Sequence, residues 1–345
     1  MAQKPVRIQD VARAAQVSTA TVSRALSNPD MLSDETRKAV FEAIRTTGYR
    51  VNHAARNLRM QRAGAVLILV PSLSNPFFSQ ILAGISGVFM ETDYSVLIAD
   101  TRARAAEDRH LVDYSLARVD GIISLDGGLQ PATMAEFASQ GAAERMIFAC
   151  EWVQDTPLPS VRSDNVEGAR LAVQHLYDLG HRKIAHITGP QDNVLTHARR
   201  EGMLEQRARL GLPARDDWII RGDFSLESGR NAARRILEME QRPTAVFCAS
   251  DQVAFGLIST LNAGGVRVPQ DISVVGFDDI ELSEYYVPAL TTIRQFRRLL
   301  GARAARLLLD RITGGGAPGQ AGEVLTVDVE LVVRDSTAPP PELRI

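Results

Sequence analysis

The chain has 345 residues, of which 45% are hydrophobic and 23% are charged, an ordinary balance for a globular protein of two or three domains. No stretch approaches the roughly 20 apolar residues that span a membrane, and the first ten residues lack the apolar run of a secretory signal. We therefore expect a cytoplasmic protein that has no membrane partner.

Charge and cysteine content restrict the function further. Residues 1–62 hold eleven basic and five acidic side chains, a net charge of +6, which leaves −8 for the rest of the chain. A basic segment on an acidic body indicates a phosphate-binding surface near the N-terminus. Cys150 and Cys248 each end an apolar run, so we expect buried thiols rather than a disulfide framework or a zinc site.

The stretch Ile8 to Leu26, IQDVARAAQVSTATVSRAL, predicts two short helices around a tight turn. Ser18 is placed to cap the second helix, and Val22 and Leu26 lie four residues apart, where they can meet the apolar side of the first. The opposite face of the second helix is mostly polar and suited to reach base edges: Thr19, Ala20, Thr21, Ser23 and Arg24. The pattern predicts a helix-turn-helix, and the alternative is an ordinary two-helix hairpin of an α-helical domain.

The next segment, DETRKAVFEAIRTTG, predicts a third helix with Ser33 as its cap and Gly48 at its end. Its buried stripe is expected to be Ala39, Val40, Ala43 and Ile44. The following segment, NHAARNLRMQRAG, predicts a short helix from Asn52 through Leu58 whose apolar side is too thin for it to fold alone. It would order against a twin in a dimer or against DNA, and the alternative is a flexible linker.

From Ala65 onward, apolar runs alternate with helical segments, which predicts parallel sheets with helices on both faces. About nine such units are too many for one sheet, and a break near VRSDN, where a helix is expected to begin, indicates two similar lobes. Ligands of such sheets bind beside the carboxyl ends of the strands, so we expect a site in the cleft between the lobes. The final residues, APPPELRI, are expected to be disordered.

Several predicted strands are followed by residues suited to a ligand with many hydroxyl groups. Phe77 and Phe78 follow the first strand, and they either form a surface on which a ring of the ligand stacks or pack in the core. Phe224 provides a second aromatic ring on which a ligand can stack. Arg199 can donate two hydrogen bonds side by side, and Asp278 can accept two. Ser250 and Asp251 follow another strand, and Asp251 is expected to cap the next helix.

The sequence contains no recognisable catalytic set. It lacks the loops GxGxxG and GxxxxGK[ST], the GxSxG elbow and the HExxH zinc motif, and its six histidines have no metal-ligand spacing. His181 is expected to be structural. We therefore expect neither an enzyme nor a protein with a metal or cofactor.

In combination, these motifs resemble the LacI family of transcription regulators. The resemblance rests on segments that occur in order over essentially the whole chain: IQDVARAAQVSTATVSRALSNPDMLSDETRKAVFEAIRTTGYRVN, ARNL, NPFFSQILAGI, GHRKIAHITGP, PTAVFCASDQVAFG, VPQDISVVGFDD and PALTTI. Within the family, GDFSLESG and PTAVFC look most like the cytidine and purine repressors.

The resemblance implies an all-α helix-turn-helix headpiece at residues 1–50, a hinge helix and linker at 51–63, and a two-lobed α/β effector domain similar to periplasmic binding proteins at 64–340. The N-terminal lobe would span about 64–164 and 295–325, and the C-terminal lobe about 165–292 and 326–340. The resemblance also implies a homodimer, or a higher oligomer, that clamps a palindromic operator in double-stranded DNA.

The resemblance also assigns site residues by position. Thr19, Ala20 and Arg24 would read the major groove, while Ser18, Ser23 and Asn52 would contact the DNA backbone or base edges. Ala55 and Leu58 would enter the minor groove, with Leu58 as the wedge that opens a base step. The effector cleft would be lined by Phe77, Phe78, Asp164, Arg199, Phe224, Ser250, Asp278 and Gln295. The purine repressors have Arg and Thr where this chain has Asn193 and Leu195, which favours a nucleoside or a sugar over a purine base.

These features together predict a DNA-binding repressor that is gated by a small polyhydroxylated effector, a nucleoside or a sugar. Two alternatives belong to other classes: a small-molecule binding protein without a DNA function, and an enzyme that acts on a sugar or nucleoside. The basic N-terminal segment and the missing secretory signal disfavour the first, and the lack of a catalytic set disfavours the second.

Overall fold

The computed structural model describes residues 6–49, 62–101, 119–314 and 322–341. The chain divides into two units, Met1–Arg62 and Ala63–Ile345. Within the described ranges, no helix combines the length and the apolar character needed to cross a membrane.

The described part of the first unit is helical, with α1 at Ile8–Ala14, α2 at Thr19–Ser27 and α3 at Asp34–Thr47. The Ser18 hydroxyl accepts a hydrogen bond from the Thr21 N–H at 3.0 Å, so the predicted cap of α2 is confirmed. Small and branched side chains from these helices form the core of the unit: Val11, Ala12, Val22, Ala25, Val40 and Ala43.

The expected burial of Ala39 on α3 is wrong. Ala39 is exposed, whereas Val40 and Ala43 are buried and Ile44 is half-buried. Because α1 and α2 are short, they cover a narrow stripe of α3, and Ala39 lies about 100° around the helix from Val40, beyond that stripe.

The second unit alternates strands and helices. Its first lobe begins with β1 (Ala65–Val70), α4 (Phe77–Phe89), β2 (Ser95–Asp100), β3 (Gly121–Ser124), α5 (Pro131–Ser139), β4 (Met146–Ala149) and β5 (Ser160–Ser163). Its second lobe contains α6 (Asn165–Asp178), β6 (Ile184–Ile187), α7 (Val194–Arg209), β7 (Ile219–Ile220), α8 (Leu226–Glu238), β8 (Ala245–Cys248), α9 (Asp251–Ala263), β9 (Ser273–Asp278), α10 (Leu282–Tyr285) and β10 (Thr291–Gln295). The chain then returns to the first lobe with α11 (Arg297–Thr313) and β11 (Val324–Val327), and reaches the second again with β12 (Val329–Val332).

In the described part of the chain, the strands form two sheets of six. Their orders are β11-β5-β4-β3-β1-β2 in the first lobe and β12-β10-β9-β8-β6-β7 in the second, with β10 and β12 antiparallel and the other pairs parallel. Strands β1 and β9 are buried along their whole length, because helices cover both faces of each sheet. The predicted fold class, a helical headpiece with a two-lobed α/β domain, is confirmed.

The helix that the sequence predicts to begin at VRSDN is confirmed, since α6 starts at the last residue of that segment, but the strand that precedes this helix was not predicted. Ser160–Ser163 form β5, which pairs with β4 and β11, and α6 begins at Asn165. Three of the four residues of β5 are polar, so the strand gives no apolar signal, and its partners define it instead.

The described part of the last segment is also not the disordered tail that the sequence predicts. The Ala338 N–H donates to Ser273 Oγ at 3.0 Å, and the Ala338 carbonyl lies 2.9 Å from His181 Nε2. His181 is buried, and its Nδ1 lies 2.9 Å from Thr244 Oγ1, so its predicted structural role is confirmed.

Candidate functional site

The outward face of α2 is the candidate DNA-reading surface. Val22 and Ala25 on its inner face are fully buried, so packing fixes the orientation of the helix. On the outer face Ser23 is half-buried, and the other predicted contacts are exposed: Ser18, Thr19, Ala20 and Arg24. These side chains offer hydroxyls, a methyl group and a guanidinium, the kinds of group that contact base edges and phosphates. The remaining predicted DNA contacts lie outside the described residues: Asn52, Ala55 and Leu58.

In the second unit, Arg199 is the centre of a buried polar cluster. Its side chain is 2% exposed, and its Nε donates to Asn165 Oδ1 at 2.9 Å while Nη1 donates to the Ala249 carbonyl. Its Nη2 lies 3.7 Å from Asp278 Oδ1, and the guanidinium stacks 3.8 Å from the centre of the Phe277 ring. One side chain therefore joins the start of α6, the end of β8 and the end of β9.

Asp278 completes this cluster with Gln295. The Gln295 Nε2 donates to Asp278 Oδ1 at 2.7 Å, and both side chains are buried. Burial raises the pKa of Asp278, and the positive charges of Arg199 and Arg297 partly oppose that rise. The structure thus brings together Arg199 and Asp278, which the predicted strand ends singled out, and Gln295, which the resemblance assigned to the cleft; a ligand role for them stays a prediction.

The expected cap role of Asp251 is wrong. Ser250 caps α9, since its hydroxyl accepts from the Val253 N–H at 3.3 Å. Asp251 is fully buried and accepts hydrogen bonds from Ile280 N–H, Ser283 Oγ and Thr292 Oγ1 at 2.9, 2.7 and 2.5 Å. Burial, followed by the nearby charge of Asp278, raises the pKa of Asp251. Asp251 therefore fixes the loop that follows β9.

The predicted aromatic residues fall into two groups. Phe224 is half-buried with a φ of 68°, and its carbonyl accepts from Ser250 Oγ at 3.2 Å. Its ring centre lies 5.7 Å from the Arg199 guanidinium, so it adjoins the cluster. Phe77 and Phe78 are only 6% and 5% exposed and pack edge to face at 5.1 Å within the core. Their place in this structure matches the core-packing alternative, and a stacking role for them stays a prediction.

Asp164, the remaining predicted cleft residue, is half-buried and caps α6. Its Oδ1 accepts from the Glu167 N–H at 2.9 Å. The next residue along the chain is Asn165, which accepts from Arg199. Asp164 therefore lies beside the polar cluster and positions it through the start of α6.

A cavity of about 450 Å³ lies between the strand ends of the two lobes. The first lobe contributes Thr101, Asp126, Gly128, Leu129, Gln130, Thr133 and Glu151, and the second contributes Pro190, Gln191, Asp192 and Asn193. Its volume suits a small ligand. The eight predicted effector side chains, all within the described ranges, are not in this lining.

Sequence reasoning missed the carboxylates of the first lobe that border this cavity. Asp126 follows β3 and accepts from the Thr101 hydroxyl and from the Gly128 N–H at 2.7 Å. Glu151 follows β4 by two residues and accepts from the Gly127 N–H at 3.0 Å. Both are acids at strand ends, so the rule that singled out Asp278 also applied to them.

A second cavity, of about 660 Å³, opens on the flank of the unit. Leu226, Leu282 and Tyr285 border it together with charged residues such as Glu284 and Arg294. Tyr285 is 71% exposed, so this flank presents a large apolar side chain to its surroundings. An apolar, partly charged flank of this kind is typical of a surface that meets another protein.

Comparisons with known proteins agree with both parts of the chain. Residues 7–52 match the bacterial regulatory proteins of the lacI family, and residues 173–337 match a periplasmic binding protein-like domain. The HTH-type transcriptional repressor CytR of Escherichia coli is 38% identical over 331 residues, which cover 96% of this chain and 96% of the relative.

Solved structures of the same kind cover nearly the whole chain. The Lac repressor dimer bound to operator and the anti-inducer ONPF has a TM-score of 0.79 and 32% identity, covering 97% of this chain and all of that one. The transcriptional regulator CelR in complex with cellobiose has a TM-score of 0.74 and 32% identity, covering 96% of this chain and 99% of that one.

Proposed function

Because this chain belongs to the lacI family of bacterial regulatory proteins, we propose that it represses transcription by binding a palindromic operator as a homodimer under the control of a small effector. Its relatives are transcriptional repressors, and the chain is a DNA-binding transcription regulator rather than an enzyme. The observation that carries the proposal is the exposed polar face of α2, which rests on a packed three-helix core within a basic segment.

The DNA contacts follow from this face and from the hinge. Thr19, Ala20 and Arg24 read base edges in the major groove, while Ser18, Ser23 and Asn52 contact the backbone or adjacent base edges. Ala55 and Leu58 enter the minor groove. Residues 1–50 form the headpiece, 51–63 the hinge, and 64–340 the effector and dimerisation domain.

Selection from a randomised duplex library with the full chain tests the proposal. We expect an inverted repeat to be enriched, because a two-fold dimer presents two recognition helices. The affinity of the protein for this repeat should fall steeply with salt concentration, because DNA phosphates that bind the protein release their counterions. Arg24→Ala should relax base preference at one position in each half-site, by about 1–3 kcal/mol. A chain that enriches no repeat, or binds without salt dependence, would contradict the proposal.

We propose that the effector is a polyhydroxylated small molecule, a nucleoside or a sugar, held between the lobes. The likeness to the CelR–cellobiose complex supports such a ligand, and so do the carboxylates that border the cavity, Asp126 and Glu151, because they accept hydrogen bonds from hydroxyls. We propose that the lobe arrangement that binds the effector also brings to it eight residues that do not line the cavity in the arrangement described here: Phe77, Phe78, Asp164, Arg199, Phe224, Ser250, Asp278 and Gln295.

A thermal-shift screen of the full chain against nucleosides and sugars, with cytidine, ribose and cellobiose among them, identifies the effector. A ligand at 100 times its Kd stabilises the folded state by about 2.7 kcal/mol. Operator binding is then measured with and without that ligand. The mechanism is a population shift, in which the ligand binds one lobe arrangement better and thereby changes the pairing of the hinges.

A further inference from the structure

Arg297 lies where the chain crosses from the second lobe to the first. It is the first residue of α11 and lies two residues after the end of β10. Its side chain is 8% exposed, and its Nη1 donates to the Phe77 carbonyl of α4 at 3.1 Å. Its Nη2 donates to the Asp279 carbonyl, after β9, at 2.9 Å. One planar guanidinium therefore bridges main-chain atoms of both lobes.

The end of this bridge in the first lobe is rigid. Helices α4 and α11 cross so closely that a Cβ on Gly84 would lie 2.1 Å from the Arg298 carbonyl oxygen. A Cβ on Gly301 would likewise lie 2.1 Å from the Ile81 carbonyl oxygen. Contact at this distance leaves no room for the helices to slide, so Arg297 moves with α4 and the first lobe.

The end in the second lobe is also held in place. Asp279 has a φ of 51°, and its carboxylate accepts from Arg294 Nε at 2.6 Å and pairs with Arg334 Nη2 at 2.7 Å. The preceding residue, Asp278, belongs to the buried cluster of the candidate effector site. The Asp279 carbonyl therefore moves with the loop that carries the carboxylate of that site.

We propose that Arg297 is a strap between the lobes, which holds the arrangement seen here and links it to the position of Asp278. A rotation that moves the Phe77 carbonyl away from the Asp279 carbonyl must break one of these two hydrogen bonds. Arg297 acts through the main chain of both lobes, so it is a positioning residue. The proposal goes beyond the proposed function, since it needs neither the operator nor the effector to be known.

The test measures the distance between the lobes in the full chain. Gln130 and Gln191 are exposed and border opposite sides of the cleft cavity, so cysteines at these positions take spin labels. The native Cys150 and Cys248 are buried, so they stay unlabelled. Double electron–electron resonance then reports the distance within one subunit when labelled chain is diluted into excess unlabelled chain.

Arg297→Met keeps the unbranched apolar stem of the side chain and removes the guanidinium with all of its donors. We expect the share of a second interlobe distance to rise roughly ten-fold or more, because charge-assisted hydrogen bonds to two carbonyls are lost. Arg298→Met is the matched control, since Arg298 is the exposed neighbour on the same helix, and it should reproduce the parent distribution. A parent-like distribution in Arg297→Met would overturn the strap.

A conservative variant separates positioning from general packing. Arg297→Lys keeps the charge but cannot span both carbonyls with one ammonium group. The share of the second interlobe distance in this variant should therefore lie between its shares in the parent and in Arg297→Met. Far-UV circular dichroism checks that each variant is folded. If Arg297→Met fails to fold, Arg297→Lys decides: an increased second population supports the strap, and a parent-like distribution refutes it.

Discussion

At the scale of single residues, the most informative side chain is Arg199, because it is both the predicted ligand-binding group and a buried structural link. Its donors reach Asn165 and Ala249, and its charge faces Asp278. A truncation to alanine would therefore leave a buried carboxylate without its counter-charge, as well as removing any contact with a ligand.

Arg199→Lys tests the ligand role with less damage to the fold than Arg199→Ala. We expect effector affinity to fall roughly ten-fold or more, because lysine cannot reproduce the planar fork. Operator affinity without effector should stay within about two-fold of the parent, since the headpiece residues are unchanged. Fluorescence anisotropy of labelled operator, with and without effector, measures both quantities. A normal effector response in this variant would remove Arg199 from the site.

His186 on β6 makes folding stability depend on pH. It is fully buried and stacks on Phe247, with Nδ1 3.0 Å from the Phe247 carbonyl, and burial lowers its pKa to about 4. Between about pH 4 and 6.5 the unfolded chain binds the proton and the folded chain does not, so stability falls as pH falls. The full effect is about 3 kcal/mol.

Substitution of His186 separates its contribution to the pH dependence of stability from the opposing contributions of buried carboxylates. Asp251 and Asp278 have raised pKa values in the folded chain. The stability that their protonated forms contribute is therefore lost as pH rises through those values. We therefore compare the parent with His186→Gln in urea titrations from pH 7.5 to 4.5. The stability advantage of the parent should shrink across this range, and an advantage that stays constant with pH would show that His186 does not titrate as described.

At the scale of elements, close helix crossings set the shape of the second lobe. Helices α6 and α7 meet where a Cβ on Gly202 would lie 2.1 Å from the Val166 carbonyl oxygen. Gly202→Ala should therefore destabilise the protein by about 1–3 kcal/mol, because the helices must separate. Glu201→Ala, at the exposed neighbouring position, should change stability by less than about 0.5 kcal/mol. Equal urea midpoints for the two variants would contradict the close crossing.

The helices and strands also show which features of the fold and of the candidate site could be predicted from the sequence. Ser18 and Ser33 cap their helices through the residue three positions on, so local spacing was enough to identify them. Asp278 and Gln295 converge because the parallel strands β9 and β10 end at one edge of the sheet, and Arg199 reaches them from α7. Asp251 was misjudged because its partners Ser283 and Thr292 are 32 and 41 residues away. β5 and the docked last segment were missed for the same reason: their partners lie far along the chain.

At the scale of the whole molecule, we propose that the flank that carries Leu226, Leu282 and Tyr285 is the face through which the proposed homodimer forms. The similar Lac repressor structure is a dimer, and exposed apolar side chains of this kind are stabilised when a second copy buries them. Tyr285→Asp should convert the dimer to a monomer in sedimentation experiments, since a two-fold interface would bury one unpaired charge from each copy. Glu240→Lys, an exposed charge change outside this flank, is the control. A dimer that survives Tyr285→Asp would place the interface elsewhere.

Operator binding by the whole chain should depend most on Leu58, at the end of the predicted hinge helix. As the proposed wedge between base pairs, Leu58 would make a contact that exists only on a correctly kinked site. Leu58→Ala should weaken specific binding by about 10- to 100-fold, the worth of burying a leucine side chain. Because no charge changes, the slope of affinity against salt should stay the same. Arg59→Ala is the contrast: it should weaken specific and non-specific DNA alike and reduce the salt slope by about one. Effector affinity should be unaffected by either substitution, and a Leu58→Ala variant that loses operator and effector binding equally would refute the wedge.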